Sequence, residues 1–444
     1  MFRTICRMFS LCAVFAIGLH AQTFKAVVAF DQTNGRLVFG PPIEATDHNF
    51  YGATVFGGPS DDGTIYRLTK QGTYKVLYSF CAQSGCADGI NPAWLMQAAN
   101  GKFYGTTSGG GKHGAGTIFE ITPGGKFTLL YTFCSKTNCT DGAEPQSSLV
   151  QTSDGTFYGT TIGGGANNNG TVFKFTAAHG LTTLYNFCSK TGCKDGSFPF
   201  IGLTLAKDGN FYGTTAEGGN HNSTSCPADG CGSVFRITPA GKLTTLYRFC
   251  TTSDCSDGAI PQALLALGKD GNLYGTTDNG GSEHSGTIYK ISLKGKLTIM
   301  HNFCESGICN DGAIPYAGVI QGTDGNFYGT AYIGGNGGWG TAFQMTHSGG
   351  FTVLHNFDGK ADGSYLAASL LQASNGSLFG GTEAGGNDDC DSPNGCGVIF
   401  TISTKAANQG APQGSTQGSD RRDQMTIRPP TPLPLNWRSV VPYR

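Results

Sequence analysis

Apolar and polar positions along the chain fall into strand-length runs separated by glycine-bearing turns, and one phrase returns seven times. It reads NFYGAT ending at Thr54, KFYGTT at Thr107, TFYGTT at Thr161, NFYGTT at Thr215, NLYGTT at Thr277, NFYGTA at Ala331 and SLFGGT at Thr382. The aromatics before its glycine (Tyr51, Tyr104, Tyr158, Tyr212, Tyr274, Tyr328 and Phe379) are spaced 53, 54, 54, 62, 54 and 51 residues apart. Self-similarity at that period is the mark of a solenoid, a propeller or an array. Each repeat divides into four pieces. Piece A is apolar with small residues, as in PQALLAL from Pro261, and a two-residue turn such as Asp208-Gly209 follows it. Piece B is the FYGTT phrase. A loop containing paired glycines leads to piece C, as in GTIYKIS from Gly286, and a second tight turn leads to piece D, as in KLTTLYRF from Lys242. Pieces B, C and D alternate apolar and polar residues and are rich in β-branched and aromatic types, which predicts strands.

The count of pieces selects the architecture. The repeats begin with a lone D-like piece, TFKAVVAF at 23–30, and end with a lone C piece, GVIFTIS at 397–403. An open array would leave both as unpaired edges, an aggregation hazard. In a closed ring the first strand completes the last blade. The sequence therefore predicts an all-β fold over residues 22–404: a seven-bladed β-propeller of four-stranded antiparallel blades, closed by the N-terminal strand. Its first A piece, containing Pro41 and Pro42, reads as degenerate.

Composition agrees and adds a compartment. Of 444 residues, 70 are glycine and 13 % are charged, and the formal net charge of −1 leaves no basic surplus to recruit nucleic acid. Residues 1–21 carry Arg3 and Arg7, then an apolar run from Met8 to Leu19 and a candidate cleavage residue at Ala21. That run suits a signal peptide and falls short of the ~20 residues that span a bilayer. The other cysteines form local pairs: Cys81/Cys86, Cys134/Cys139, Cys188/Cys193, Cys226/Cys231, Cys250/Cys255, Cys304/Cys309 and Cys390/Cys396. Zinc sites prefer a two-residue spacing with partner histidines, so local disulfides in an oxidising compartment are expected. Residues 405–444 turn rich in Gln, Gly, Ser and Pro and read as a flexible tail.

The running pattern DGNFYGTT…GG…GTVFKIT…LTTLY…DGA resembles the bacterial tandem repeat called GloVer, found in "choice-of-anchor" secreted proteins. The resemblance covers nearly all of residues 23–403. It implies export, a propeller-like array and often a C-terminal anchoring segment. It supplies no catalytic residues. The tail departs from the pattern, with no hydrophobic span and no recognisable sorting signal.

Strand alternation places the B–C and D–A connections on one rim, which carries most of the loop length and chemical variety; functional residues concentrate on such loops. There, the connector aspartates Asp88, Asp141, Asp195, Asp257, Asp311 and Asp362 read as Asx turns rather than a calcium ring, because no EF-hand-like spacing occurs. Two B–C loops, 216–231 and 383–396, are longer than the rest, and each carries its own cysteine pair. Asn387, Asp388, Asp389 and Asp391 make the densest oxygen cluster and the candidate for a weak Ca²⁺ site. His113, His221 and His284 sit on separate B–C loops and become a metal or acid–base set if the ring brings them together. Phe56, Tyr332 and Trp339 are candidates for stacking on sugar rings. No Ser-His-Asp arrangement, nucleophile elbow or HExxH helix is present.

These features favour a secreted, monomeric, non-enzymatic module that binds a glycan or another cell-surface component. The alternative is an extracellular hydrolase or lyase acting on polysaccharide. A rim site with converging, perturbed titratable groups would favour the enzyme; a shallow aromatic groove would favour binding.

Overall fold

The computed structural model describes residues 23–221, 226, 230–305, 307–387, 390 and 395–403. In them, strands assemble into seven four-stranded antiparallel sheets. Numbered along the chain, the blades span 43–79, 90–132, 150–186, 204–248, 266–302, 320–356, and 371–403 together with 23–29. Blade 5 shows the common plan: Ala266–Leu267, Leu273–Thr277, Thr287–Ile291 and Leu297–Asn302 are its strands A to D. Blade 7 is completed as the piece count required. Thr23–Ala29 pairs antiparallel with Val398–Ser403, Thr23 opposite Ser403 and Ala29 opposite Val398, with a bulge between Ala26 and Val28. The Phe30 amide extends the ladder to the Gly397 carbonyl at 3.1 Å. The first A strand, Ile43–Glu44, is no shorter than five of the others; Ile90–Gln97 of blade 2 is the long exception.

Alternation fails for strand B, for a reason that defines the fold. All of Leu273–Thr277 is buried, and so is each equivalent strand apart from the half-buried last residue, Gly109, of Phe103–Gly109, because blades stack face against face and cover both sides of their middle strands. Strand C is nearly as enclosed, with one half-buried position such as Lys290, whereas strand D is largely half-buried. The glycine of the recurring phrase makes room for the aromatic opposite it in strand C. A Cβ on Gly159 or Gly329 would sit 2.6 Å from Cζ of Phe173 or Phe343.

Hydrogen bonds then stitch blade to blade. The Thr276 hydroxyl donates to the Ala317 carbonyl of blade 6 at 3.2 Å, and Thr330 to Ala368 of blade 7 at 3.2 Å. On the opposite rim, Gln97, Gln151, Gln321 and Gln372 each accept from a backbone amide in the preceding blade's A–B turn. At the closing seam the same place is held by Glu44, which accepts from both the amide and the hydroxyl of Ser374 at 2.6 Å. The A–B turns are three-residue loops rather than the two-residue turns expected. In Lys207-Asp208-Gly209, Gly209 takes the left-handed position (φ +76°) and its amide reaches Ala206.

Every cysteine of the repeats is bridged to its expected local partner. The connectors hold Cys81–Cys86, Cys134–Cys139, Cys188–Cys193, Cys250–Cys255 and Cys304–Cys309. The two long B–C loops hold Cys226–Cys231 and Cys390–Cys396. That number of bridges fits an oxidising environment. No helix among the described residues is long and apolar enough to cross a membrane.

Candidate functional site

The central axis can be located from side chains that meet across it. Phe39, Phe200 and Tyr316 precede the A strands of blades 1, 4 and 6, which are not neighbours in the ring. Their rings nevertheless form a closed triangle, with centroids 6.1, 5.8 and 6.3 Å apart. All three are buried. They stop the channel that the inner strands would otherwise line.

Above this plug, on the B–C/D–A rim, the backbone is held in an unusual way. Leu37, Asn91, Glu144, Phe198, Ile260, Ile314 and Tyr365 occupy one equivalent connector position, and all have left-handed backbones (φ +54° to +62°). Such a conformation is strained for β-branched Ile260 and Ile314. It persists because each residue is clamped between blades. The Ile260 amide donates to Cys231 of blade 4, while its carbonyl accepts from Asp278 of blade 5; Ile314 and Tyr365 repeat this with Ser285 and Tyr332, and with Trp339 and Glu383.

The residues that donate to these carbonyls come directly after the recurring phrase that ends at Thr54, Thr107, Thr161, Thr215, Thr277, Ala331 and Thr382, and there the blades diverge. Blades 1 to 4 carry Val55, Ser108, Ile162 and Ala216; blades 5 to 7 carry Asp278, Tyr332 and Glu383. The three make one polar arc around Tyr316. The Tyr332 hydroxyl donates to Glu383 Oε2 at 2.8 Å. The Tyr332 ring lies 6.0 Å from Tyr316 and 5.2 Å from Tyr365, and Trp339 meets Tyr365 edge-on at 5.6 Å. Burial pushes the Glu383 carboxyl up to about 7, although its bond from Tyr332 pulls the other way. Burial alone raises Asp278 to about 8, and its Oδ1 has no hydrogen-bond partner among the described residues. The Tyr316 phenol is raised first by burial and then by the charges of Asp278 and Glu383, so both acids lie within electrostatic range of it. At neutral pH the arc can therefore donate a carboxylic proton as well as accept one.

The residues singled out from sequence are distributed unevenly around this arc. Tyr332 is in it. Trp339 borders it through Tyr365, and its ring packs over Gly359, where a Cβ would come within 2.7 Å. Phe56 stands in blade 1, and the Arg36 guanidinium covers its face at 4.8 Å. His113, His221 and His284 are exposed on the loops of blades 2, 4 and 5, with His221 Nε2 3.0 Å from the Gly192 carbonyl. No potential metal-ligand group among the described residues includes any of them. Asp388, Asp389 and Asp391 lie outside the described residues, so of that cluster Asn387 alone is placed.

The connector cysteines belong to the frame of the rim and not to the arc. The half-buried Cys193, bridged to Cys188, accepts at its carbonyl from Gly196 at 2.8 Å and from Gly219 of the next blade's B–C loop at 3.0 Å. The half-buried Cys309, bridged to Cys304, does the same with Gly312 at 3.1 Å and Gly335 at 2.7 Å. Cys86 and Cys139 repeat the link with Gly111 and Gly165. Neither Cys193 nor Cys309 enters a potential metal-ligand group among the described residues. Their part is to fasten each connector to the loop that follows it.

The connector aspartates face inward, with a geometry that differs from an Asx turn. Asp195 Oδ2 and Oδ1 accept from the Ser189 and Lys190 amides earlier in the connector, and Oδ2 also accepts from Tyr185 at 2.7 Å. Tyr78, Tyr131, Tyr247, His301 and His355 serve Asp88, Asp141, Asp257, Asp311 and Asp362 in the same way. Sequence reasoning passed over Asp278, Glu383, Tyr316 and Tyr365. Aligning the residue that follows each FYGTT phrase was the available signal for the first two. A separate concavity on the outer strand of blade 4, lined by Asn220, Tyr247, Arg248 and Thr251, gathers no comparable set of groups.

The family model described as the Gloeobacter/Verrucomicrobia repeat matches the chain at residues 83–265, 140–308 and 223–419. No curated protein matches it in sequence. Among solved structures it is similar to virginiamycin B lyase from Staphylococcus aureus, at 13 % identity and a TM-score of 0.54, covering 86 % of this chain and 99 % of that one. It is also similar to an extracellular domain assigned to a one-component system of B. thetaiotaomicron, at 7 % identity and a TM-score of 0.51, covering 82 % of this chain and 39 % of that one. At these identities the likeness concerns the fold alone.

Proposed function

This chain belongs to the Gloeobacter/Verrucomicrobia repeat family, and from that premise we propose that it is an exported propeller that binds a neutral, ring-bearing ligand, a glycan or a related cell-surface component, on its axial rim. Residues 1–21 serve as the export signal, and the propeller acts as a monomer. The observation that carries the reading is the Tyr332–Glu383 hydrogen bond set among Tyr316, Tyr365 and Trp339. Aromatic faces stack on sugar rings while the acids and phenols meet the hydroxyls, and the low net charge gives no pull on polyanions.

A second reading has its own support. Two acids raised to about 7 and about 8 on one arc suit proton transfer near neutrality, as in a polysaccharide hydrolase or lyase. One experiment separates the two: a glycan array of the exported protein beside Trp339→Ala, Tyr332→Phe and Glu383→Gln, with polysaccharide cleavage measured in parallel. Binding weakened roughly tenfold or more by loss of the Tyr332 hydroxyl or the Trp339 ring, without cleavage, supports the binding module. Cleavage abolished by Glu383→Gln replaces it with the enzyme. Binding untouched by all three variants moves the site off the arc.

A further inference from the structure

Blade 4 brings two disulfides into contact, which no other blade does among the described residues. Its long B–C loop carries Cys226–Cys231, and the connector leaving its strand D carries Cys250–Cys255. Cys226 Sγ lies 3.1 Å from Cys250 Sγ and 3.9 Å from Cys255 Sγ, and all four sulfurs fall within 4.8 Å of one another. Cys231, Cys250 and Cys255 are buried, and Cys226 is half-buried. Elsewhere the two kinds of bridge occur apart. Connectors such as that of Cys134–Cys139 have no cysteine in the facing loop, and the loop bridge Cys390–Cys396 of blade 7 faces a connector, 31–40, without cysteine.

The backbone around Cys231, Cys250 and Cys255 is anchored independently of their sulfurs. The Asn220 side-chain amide donates to the carbonyls of Phe249 at 2.9 Å and Cys250 at 3.4 Å, which ties the loop to the connector. The Cys231 amide donates to Asn220, its carbonyl accepts from Ile260, and the Cys255 carbonyl accepts from Gly281. Opening the bridges therefore leaves the Cys231, Cys250 and Cys255 thiols held by the frame, with Cys226 entering as the fourth from its loop, its sulfur already 3.1 Å from that of Cys250. A tetrahedral zinc site with Zn–S of about 2.3 Å needs sulfurs roughly 3.8 Å apart, a value that the Cys226 separations of 3.1 and 3.9 Å straddle, with all four sulfurs within 4.8 Å.

We propose that Cys226, Cys231, Cys250 and Cys255 form a four-thiolate site for one thiophilic divalent ion of the Zn²⁺ class when both bridges are reduced, so that the metal and the two disulfides are alternative states of one site. Each bridge takes two electrons and two protons from a dithiol reductant, which is itself oxidised to a disulfide. The four resulting thiols release four protons as the ion binds. Reoxidation by a disulfide oxidant withdraws the four electrons, restores the two bridges and expels the ion.

The test uses the full chain reduced with a phosphine and titrated with Co²⁺ as an optical probe, with near-UV circular dichroism reporting the fold. Expected are thiolate-to-cobalt charge-transfer bands at one ion per chain, displaced by Zn²⁺. Cys250→Ser should weaken binding at least about tenfold, because a hydroxyl is a poor ligand for a soft site. The Cys134→Ser/Cys139→Ser double variant should still take up one ion. A folded, reduced chain that binds no stoichiometric ion, or one whose ion survives Cys250→Ser, overturns the proposal. Loss of the near-UV signal on reduction does so too, since the sulfurs would then not be held together by the frame.

Discussion

Blades 1 to 4 and blades 5 to 7 share one backbone and differ in what they present to the axis. Directly after the recurring phrase the first group carries Val55, Ser108, Ile162 and Ala216, and the second carries Asp278, Tyr332 and Glu383. In both groups the amide at this position donates to a left-handed connector residue, as Val55 does to Leu37 and Glu383 to Tyr365. Because the backbone bond does the holding, the side chain can change without disturbing the blade. A nearly uniform ring thus acquires a polar arc on one side, and the chemistry is concentrated in three of seven equivalent places.

That division can be broken most forcefully through pH. Asp278 and Glu383 have folded-state values above their unfolded ones, so the native state holds the extra protons between them. Their contribution to stability is therefore full in acid and is lost as pH rises from about 4 toward about 8. Chemical denaturation across this range should show a fall on the order of several kcal/mol, flattened in Asp278→Asn/Glu383→Gln. Ser108→Ala and Ile162→Val in the other group should leave the slope unchanged. An unchanged slope in the double variant would mean that the two carboxyls are solvated in the folded protein and keep their ordinary values.

The shared frame makes the converse expectation. Gly159→Ala in blade 3 and Gly329→Ala in blade 6 should each destabilise by about 1–3 kcal/mol, since the same strand-C aromatic ring occupies the space in both. Clearly unequal losses, read from denaturation midpoints, would show that the two groups of blades do not share one packing.

Two smaller effects sharpen the picture. Removing one connector bridge, Cys134→Ser/Cys139→Ser beside Cys304→Ser/Cys309→Ser, should cost at most about 2 kcal/mol, the closure entropy of so short a loop. The cost should be alike in both groups, with the fold retained. The smallest change is expected at the closing seam. For Glu44, burial acts to raise the carboxyl, but the Ser374 hydrogen bonds outweigh it and hold the group below its ordinary range. Its contribution is present above the unfolded value near 4.5 and is lost as pH falls through the lower folded one. Glu44→Ala should cost about 1 kcal/mol at neutral pH and less in acid; an equal cost at both would remove charge from the explanation.

The number of blades, the closure of the ring by Thr23–Ala29 and the local pairing of cysteines, Cys188 with Cys193 and Cys304 with Cys309 among them, all follow from the order of residues along the chain. Each is written in short-range order: a period near 54, strand pieces that can be counted, and partners a few residues apart. The same order picked out the rim and, on it, Tyr332. Which side chains meet across the ring is a matter of tertiary packing. Phe39 joins Phe200 and Tyr316, Asp278 and Glu383 come within electrostatic range of the same phenol, and the Cys226 loop comes to rest on the Cys250 connector. No local pattern encodes such meetings, because they depend on the angle at which each blade follows the last and on the radius at which the ring closes. Burial follows from the same geometry: Asp278 and Glu383 read as ordinary loop acids along the chain, and neighbouring blades, which bury Asp278 and half-bury Glu383, raise both carboxyls toward neutrality.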